Sequence, residues 1–418
     1  MKRFLQTLVG DIELNKDLSL LLIIGGLYSL GIALSNTFVN VYLWKQSGQF
    51  IDIALYNLAI VVLQPITFLL AGRWAKKIDR IIVLRLGVTF LSVFFTTVLV
   101  MGENAGEYLL ILGALLGIGY GFYWLSFNVL TFEITEPETR DFFNGFLGIL
   151  TSFAGMIGPI FAGFIITHME KLTGYKVIFA ISLGVFLLAV VLSFFLNRRS
   201  AKGSFHLKGI WNLRKDDDNW RAICRAHFFQ GIREGTFIFV IVVWIYVATG
   251  SELAIGTYGL VASAVAFVCY YLVGRFIKPS YRKKAILIGG IILYGAIFFI
   301  IFDLNFTKLL LYGVTVSIAY PLLLVPYVSL TYDVIGSGWK AAEMRVEYIV
   351  VRELFLNFGR VTSVVLFIIS VLVLGEEKGI PIILLVLGLG HTVIYWIVKG
   401  IHLPHVEEKE SYSVLKKK

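Results

Sequence analysis

Two apolar stretches of this chain are interrupted by charge in a pattern that could move protons. His227, Gln230 and Glu234 stand at i, i+3 and i+7, so a helix places them on one face, with Arg233 adjoining. Glu353, Asn357 and Arg360 stand at i, i+4 and i+7, with Arg352 beside them. In an apolar medium a carboxylate paired with a guanidinium can change state by taking up a proton and releasing its partner. Arg233, Glu234, Glu353 and Arg360 are therefore expected to form a paired network between neighbouring helices, with Asn357 on the same face. Glu234 or Glu353 would exchange the proton, and its arginine would be freed to bind substrate. A structural ion-pair network that fixes helix rotation would use the same residues.

Milder polar stripes mark other runs. Asn36 and Asn40 share a face with Ser29; Tyr120, Trp124 and Asn128 stand at i, i+4 and i+8; Tyr320 and Tyr327 stand at i and i+7. With Gln230 these are the candidate substrate ligands, because aromatic bodies with polar tips suit an amphiphilic ligand. Helix packing, with asparagines bonding across helices, would place the same residue types there.

The elements that must carry these residues are membrane helices. The chain of 418 residues is 58% hydrophobic and only 15% charged, against about 25% charged in a soluble domain. Its mean hydropathy is +0.83. Runs of 18 or more apolar residues recur, each long enough to cross a ~30 Å hydrocarbon core as a helix. They lack the alternation of barrel strands. Twelve spans are expected, at 18–43, 52–72, 82–101, 107–132, 142–167, 176–196, 223–248, 253–276, 285–303, 306–330, 345–374 and 379–399. Arg233 and Glu234 then lie about 15 Å into the seventh span, near the midplane. The fold class is all-α integral membrane.

No Gly-x-x-x-x-Gly-Lys-Ser/Thr loop is present, which argues against ATP hydrolysis. Cys224 and Cys269 imply neither a disulfide framework nor a metal site. His168, His206, His391, His402 and His405 are scattered toward ends and loops. An enzyme, a cofactor and a bound metal are not expected.

The chain says nearly the same thing twice, 200 residues apart. Ile118, Tyr120, Phe127, Leu130, Thr131, Phe132, Glu133 and Ile134 return as Ile318, Tyr320, Tyr327, Leu330, Thr331, Tyr332, Asp333 and Val334. Gly72-Arg73-x-x-Lys76 returns as Gly274-Arg275-x-x-Lys278. Two similar halves are a common plan for secondary transporters, with the substrate where the halves meet. The expected division is a six-helix bundle over 1–197, a linker over 198–222 and a second six-helix bundle over 223–418. The linker would serve as a tether for rocking bundles or as a plain solvated connector. Alternate loops place Lys45, Lys171, Lys176, Lys308 and Lys378 on one side. Apart from Arg233, Arg352 and Arg360 inside spans, the rest of the 37 Lys and Arg fall on the other, with both termini. That bias puts both termini in the cytoplasm of a bacterial cell membrane. The net charge of +10 is then accounted for by anionic lipid head groups, with no nucleic acid.

In layout and local motifs the chain resembles the major facilitator superfamily, as an uncharacterised Gram-positive branch. The family signature after the second span is Gly-x-x-x-Asp-Arg-x-Gly-Arg; here it reads Gly72-Arg73-Trp74-Ala75-Lys76-Lys77-Ile78-Asp79-Arg80. Lys76 stands where the family has its acid and Asp79 where it has its second glycine. The family's fifth-span antiporter motif is met at Gly145, Gly158, Pro159 and Gly163, with Ala154 and Ala162 where the family has glycine. The resemblance implies a central cavity lined by spans 1, 4, 7 and 10. It implies gating at Gly72, Arg73, Lys77, Asp79 and Arg80, at Gly158 and Pro159, and at the repeat positions Gly274 and Arg275. Glu133 and Asp333 are expected to close spans four and ten, pairing with Arg140 or Arg345. Positive-inside anchoring and tight helix packing are the other uses of these residues. The fourth span has no arginine between Gly113 and Leu130, a departure from the family's drug antiporters.

The expected function is a monomeric secondary transporter working by alternating access, with protons as coupling ion, exporting a hydrophobic or amphiphilic small molecule. A lipid flippase, a polar-nutrient importer and a non-transporting receptor or scaffold are the alternatives.

Overall fold

The computed structural model describes residues 16–134, 137–170, 172–197 and 204–403, without the side chains of 132–133, 137–142 and 144–145. In hydrocarbon the backbone must satisfy its own hydrogen bonds, and the apolar runs are helical, although the run expected at 285–303 is an α-helix only as far as Ala296, followed by a 3₁₀ turn at Ile297–Phe299. The first half gives α1 (Lys16–Ser47), α2 (Phe50–Lys77), α3 (Arg80–Met101), α4 (Leu109–Ile134), α5 (Pro137–His168) and α6 (Thr173–Ser193). The second gives a short α7 (Leu207–Leu213), then α8 (Asp218–Thr249), α9 (Glu252–Phe276), α10 (Arg282–Ala296), α11 (Phe306–Ser337), α12 (Arg345–Gly388) and α13 (Gly390–Val398). No strand occurs among the described residues. Polar side chains start several helices: Asp217 accepts from the Trp220 amide at 2.8 Å, and Asn305 from the Lys308 amide at 3.0 Å.

Nine helical segments among the described residues are long and apolar enough to cross a membrane. Two of them, Arg80–Thr131 and Arg345–Val398, run for 52 and 54 residues. At 1.5 Å per residue that is roughly 80 Å, far more than one crossing needs. Each is interrupted: a 3₁₀ stretch, Gly102–Tyr108, parts α3 from α4, and Gly375 breaks α12 at φ +75°, a conformation open to glycine.

Within the first half α1 packs on α5 and α6, α2 on α4, and α3 on α4 and α6. Within the second, α8 packs on α12 and α13, α10 on α11 and α13, and α9 on α11. The main contacts across the halves are α2 on α12 and α5 on α9. An offset of 200 residues turns α2 into α9 and α12 back into α5, so these two seams are images of one another under the repeat.

Small residues set two close crossings that matter for the site. A Cβ on Gly158 of α5 would come within 2.9 Å of the Ala33 backbone on α1. In the second half Gly359 of α12 sits against the Phe228 carbonyl and Gly231 of α8. Only glycine allows backbones this near. On the other side of α5, Pro159 and Gly163 lie against Gly256, Gly259 and Glu252 of α9.

The linker departs from a solvated connector. Its described part carries α7, and α8 starts at Asp218 rather than near 223. Ile210 is fully buried, and Trp211 stacks on Phe355 of α12 with ring centroids 5.4 Å apart. Trp220, fully buried, donates to the Ile210 carbonyl at 3.2 Å. Apolar side chains at 207, 210 and 211 give this stretch a face that docks.

Candidate functional site: a cavity between the halves

The crossing at Gly231 and Gly359 brings α8 and α12 close enough for their charged faces to meet. Arg360 donates to Glu234 Oε2 at 2.7 Å. Gln230 donates to Glu234 Oε1 at 2.8 Å, and the Tyr320 hydroxyl of α11 donates to the same oxygen at 2.9 Å. The carboxylate is thus held by three donors from three helices. The other half of the expected network is rearranged. Glu353 pairs at 2.6 Å with Arg352, its neighbour on α12. Arg233 pairs with no carboxylate among the described residues; it reaches the Tyr312 hydroxyl at 3.4 Å and lies over the Phe237 ring at 4.6 Å. Helical spacing explains this: Arg233 and Glu234 point about 100° apart. Asn357 is fully buried and donates back to the Glu353 carbonyl at 2.9 Å.

Glu234, Arg360 and Arg233 line a cavity of about 630 Å³ at mid-helix between the halves. Asn36, Asn40, Tyr120 and Trp124 face it from α1 and α4, and Tyr320 from α11. Tyr120 donates to Asn36 Oδ1 at 3.1 Å. Repeat-related Tyr120 and Tyr320 therefore sit on opposite walls, one bonded to an amide and the other to a carboxylate. The walls also take residues that the sequence did not single out: Asn57 and Gln64 on α2, Tyr258 on α9 and Tyr312 on α11. Asn57 donates to Asn40 Oδ1 at 2.8 Å. Two polar residues seven apart in an apolar run were the available signal for Asn57 and Gln64.

Three candidate ligands lie off the cavity wall. Tyr327 is fully buried, its hydroxyl 2.6 Å from His227 Nδ1. Gln230 acts on Glu234 from behind, and Asn128 is absent from the lining. His391, in the first turn of α13, is completely buried, its ring centroid 5.7 Å from that of Tyr320.

Below the cavity, toward the basic face, the halves are joined by a pair that the sequence reading passed over. Lys76 of α2 lies 2.6 Å from Glu347 of α12, with side chains 10% and 0% exposed. Lys76 also donates to the Glu343 carbonyl at 3.0 Å, and the His206 amide donates to Glu347 at 3.0 Å. Arg73 and Lys77 are exposed, so the base that meets the opposite half is Lys76. A base standing where the signature has an acid was the clue that the facing helix supplies the acid. Gly72 packs against Phe205 of the linker and Val350 of α12. Asp79 caps α3, accepting from the Ile81 amide at 2.8 Å, and Arg80 is that helix's first residue. The second copy is unlike the first: Gly274 has open space at its α carbon, and Arg275 donates to Tyr271 one turn back at 2.9 Å. Asp333 pairs with Arg282 of α10 at 2.6 Å, not with Arg345; the Glu133 side chain falls outside the described residues. At the opposite end Lys45 of α1 meets Glu252 of α9 at 2.8 Å, and Tyr175 donates to the same carboxylate at 2.9 Å.

Comparison with known proteins places this geometry. The chain is 61% identical over 406 residues to the uncharacterized protein YqgE of Bacillus subtilis (strain 168), covering 97% of this chain and 94% of that one. It is 68% identical over 176 residues to an uncharacterized protein of Geobacillus stearothermophilus, covering 42% and 82%. The human organic anion transporter MFSD10 shares the fold at TM-score 0.66 and 14% identity, over 91% of this chain and 98% of that one. A bacterial homologue of the iron transporter ferroportin does so at 0.63 and 16%, over 93% and 100%. The family model of the Major Facilitator Superfamily matches residues 21–363. This chain belongs to the major facilitator superfamily, and it is a multi-pass membrane transporter, not an enzyme.

Proposed function

We propose that the chain is a proton-coupled secondary transporter that exports an amphiphilic small molecule by alternating access. In this reading twelve crossings form two six-helix bundles, 1–197 and 223–418, joined by 198–222, with the basic face and both termini in the cytoplasm. The observation that carries it is the Glu234–Arg360 pair set in the wall of a cavity between repeat-related halves. Protonation of Glu234 would release Arg360 and loosen the α8–α12 contact beneath it, tying proton movement to motion of the cavity wall. Lys76–Glu347 would hold the cytoplasmic side shut in the conformation described, and Lys45–Glu252 would make a matching contact outside.

Cavity chemistry supports an amphiphile. Ile32, Ile60, Phe237 and Ile241 share the walls with Asn36, Asn57 and Gln64, so a cargo meets both apolar surface and hydrogen-bonding groups. An open volume also favours transport over a receptor, whose interior would be filled. Proton coupling has a precedent in this fold in the E. coli fucose:proton symporter, similar at TM-score 0.62. Export rests on the fifth-span motif at Gly158 and Pro159.

The test is a proteoliposome assay with an imposed pH gradient, run against a panel of lipids, drugs and sugars. An amphiphile should move against its own gradient when protons flow down theirs. Panel-wide failure to respond to the gradient would refute coupling.

A further inference from the structure

Arg233 is buried to 4% exposure in the cavity wall, with no carboxylate paired to it among the described residues. A guanidinium offers five N–H donors and stays protonated. Here one donor reaches the Tyr312 hydroxyl at a long 3.4 Å, and Nε–H has no hydrogen-bond partner among the described residues. Each other charge on the wall is spoken for, since Glu234 and Arg360 neutralise one another at 2.7 Å. The lining of the cavity thus carries one net positive charge, facing an opposite wall of uncharged Asn36, Asn40, Asn57 and Gln64. Buried charge is retained at high cost unless something pairs with it.

Building on the proposed transport function, we propose that the cavity takes an amphiphilic monoanion whose charged group binds Arg233. Tyr312, within reach of Arg233, and Tyr258 on the facing helix supply hydroxyls around that point. Trp124, Phe237 and Ile238 supply the surface for the apolar body. One unpaired arginine selects one negative charge; a cation or a dianion leaves the site unbalanced. The volume of about 630 Å³ falls within the usual span for ligands of drug size.

The experiment is calorimetric titration of the purified full-length chain in neutral detergent with three matched probes: 2-naphthaleneacetate, its neutral amide and 2-naphthylethylammonium. The anion should bind at least ten-fold more tightly than the other two. Arg233→Gln should erase that preference, and Arg233→Lys should keep most of it. Because Arg233→Gln removes an unpaired buried charge, its melting temperature should equal or exceed the parent's, which separates lost recognition from lost folding. A charged lipid head group is the other source of such an anion, and phosphatidylglycerol added at stoichiometric amounts would reveal it by displacing the carboxylate. Equal or tighter binding of the amide or the ammonium, unchanged preference in Arg233→Gln, or no binding of any probe at millimolar concentration would overturn the proposal. Anion binding without pH-driven flux would leave this inference standing and count against the transport reading instead.

Discussion

Breaking the Lys76–Glu347 pair should unlock the seam between α2 and α12. The atoms are 2.6 Å apart and the side chains 10% and 0% exposed, so neither charge has water to fall back on. In Lys76→Gln the carboxylate keeps the His206 amide at 3.0 Å but no cation among its described partners. Removing one member of a buried pair costs about 3–5 kcal/mol. Water entry at the helix ends and protonation of the orphaned acid reduce this to about 2–3 kcal/mol, which is roughly 30- to 150-fold in the open fraction of the seam. Val350 reports that fraction, because it is fully buried and its Cγ2 would lie 3.2 Å from a Cβ on Gly72. In a background with Cys224→Ala and Cys269→Ala, a Val350→Cys probe should react with maleimide at a rate set by opening. Lys76→Gln and Glu347→Gln should each speed alkylation by the stated factor. The double variant Lys76→Gln/Glu347→Gln should return most of the way to the parent, since two amides leave no buried charge behind. Single variants within three-fold of the parent, or a double variant as fast as the singles, would refute the idea that this pair holds the halves together.

Three further outcomes rest on the same geometry. Glu234→Gln should abolish flux driven by a pH gradient and cost about 1–2 kcal/mol in detergent melting, because Arg360 loses its partner in a half-open wall; flux with its pH dependence intact would count against coupling at this carboxylate. Gly359→Val should force α12 off the Phe228 carbonyl of α8, destabilising by about 1–3 kcal/mol or more, seen as a lower midpoint in heated size-exclusion profiles; an unchanged midpoint would mean the crossing is not tight. Asp79→Ala should remove the α3 cap at about 1 kcal/mol while flux stays within two-fold; a ten-fold loss of flux at unchanged melting temperature would assign Asp79 to the gate.

Local spacing and composition dictate part of this protein before any contact is known. Apolar runs of membrane length have to be helices, because lipid offers the backbone no other donors and acceptors. The i, i+3 and i+4 rule put Gln230 with Glu234, and the shared polar face on each span brought Glu234 and Arg360 forward before any contact between them was visible. The 200-residue echo raised the expectation of two related halves. Tertiary structure decided who meets whom. Lys76 and Glu347 are 271 positions apart, and nothing in either neighbourhood names the other. Arg233 and Glu234 are adjacent in sequence, yet one faces Tyr312 and Phe237 and the other faces Arg360; the rotation of α8 set by glycines against α12 makes that choice. Asp333 found Arg282 for the same reason, since the packing of α10 on α11 brings that arginine within 2.6 Å. Pairing across helices depends on which faces the small residues let approach, a property of two surfaces together that no single stretch of chain contains.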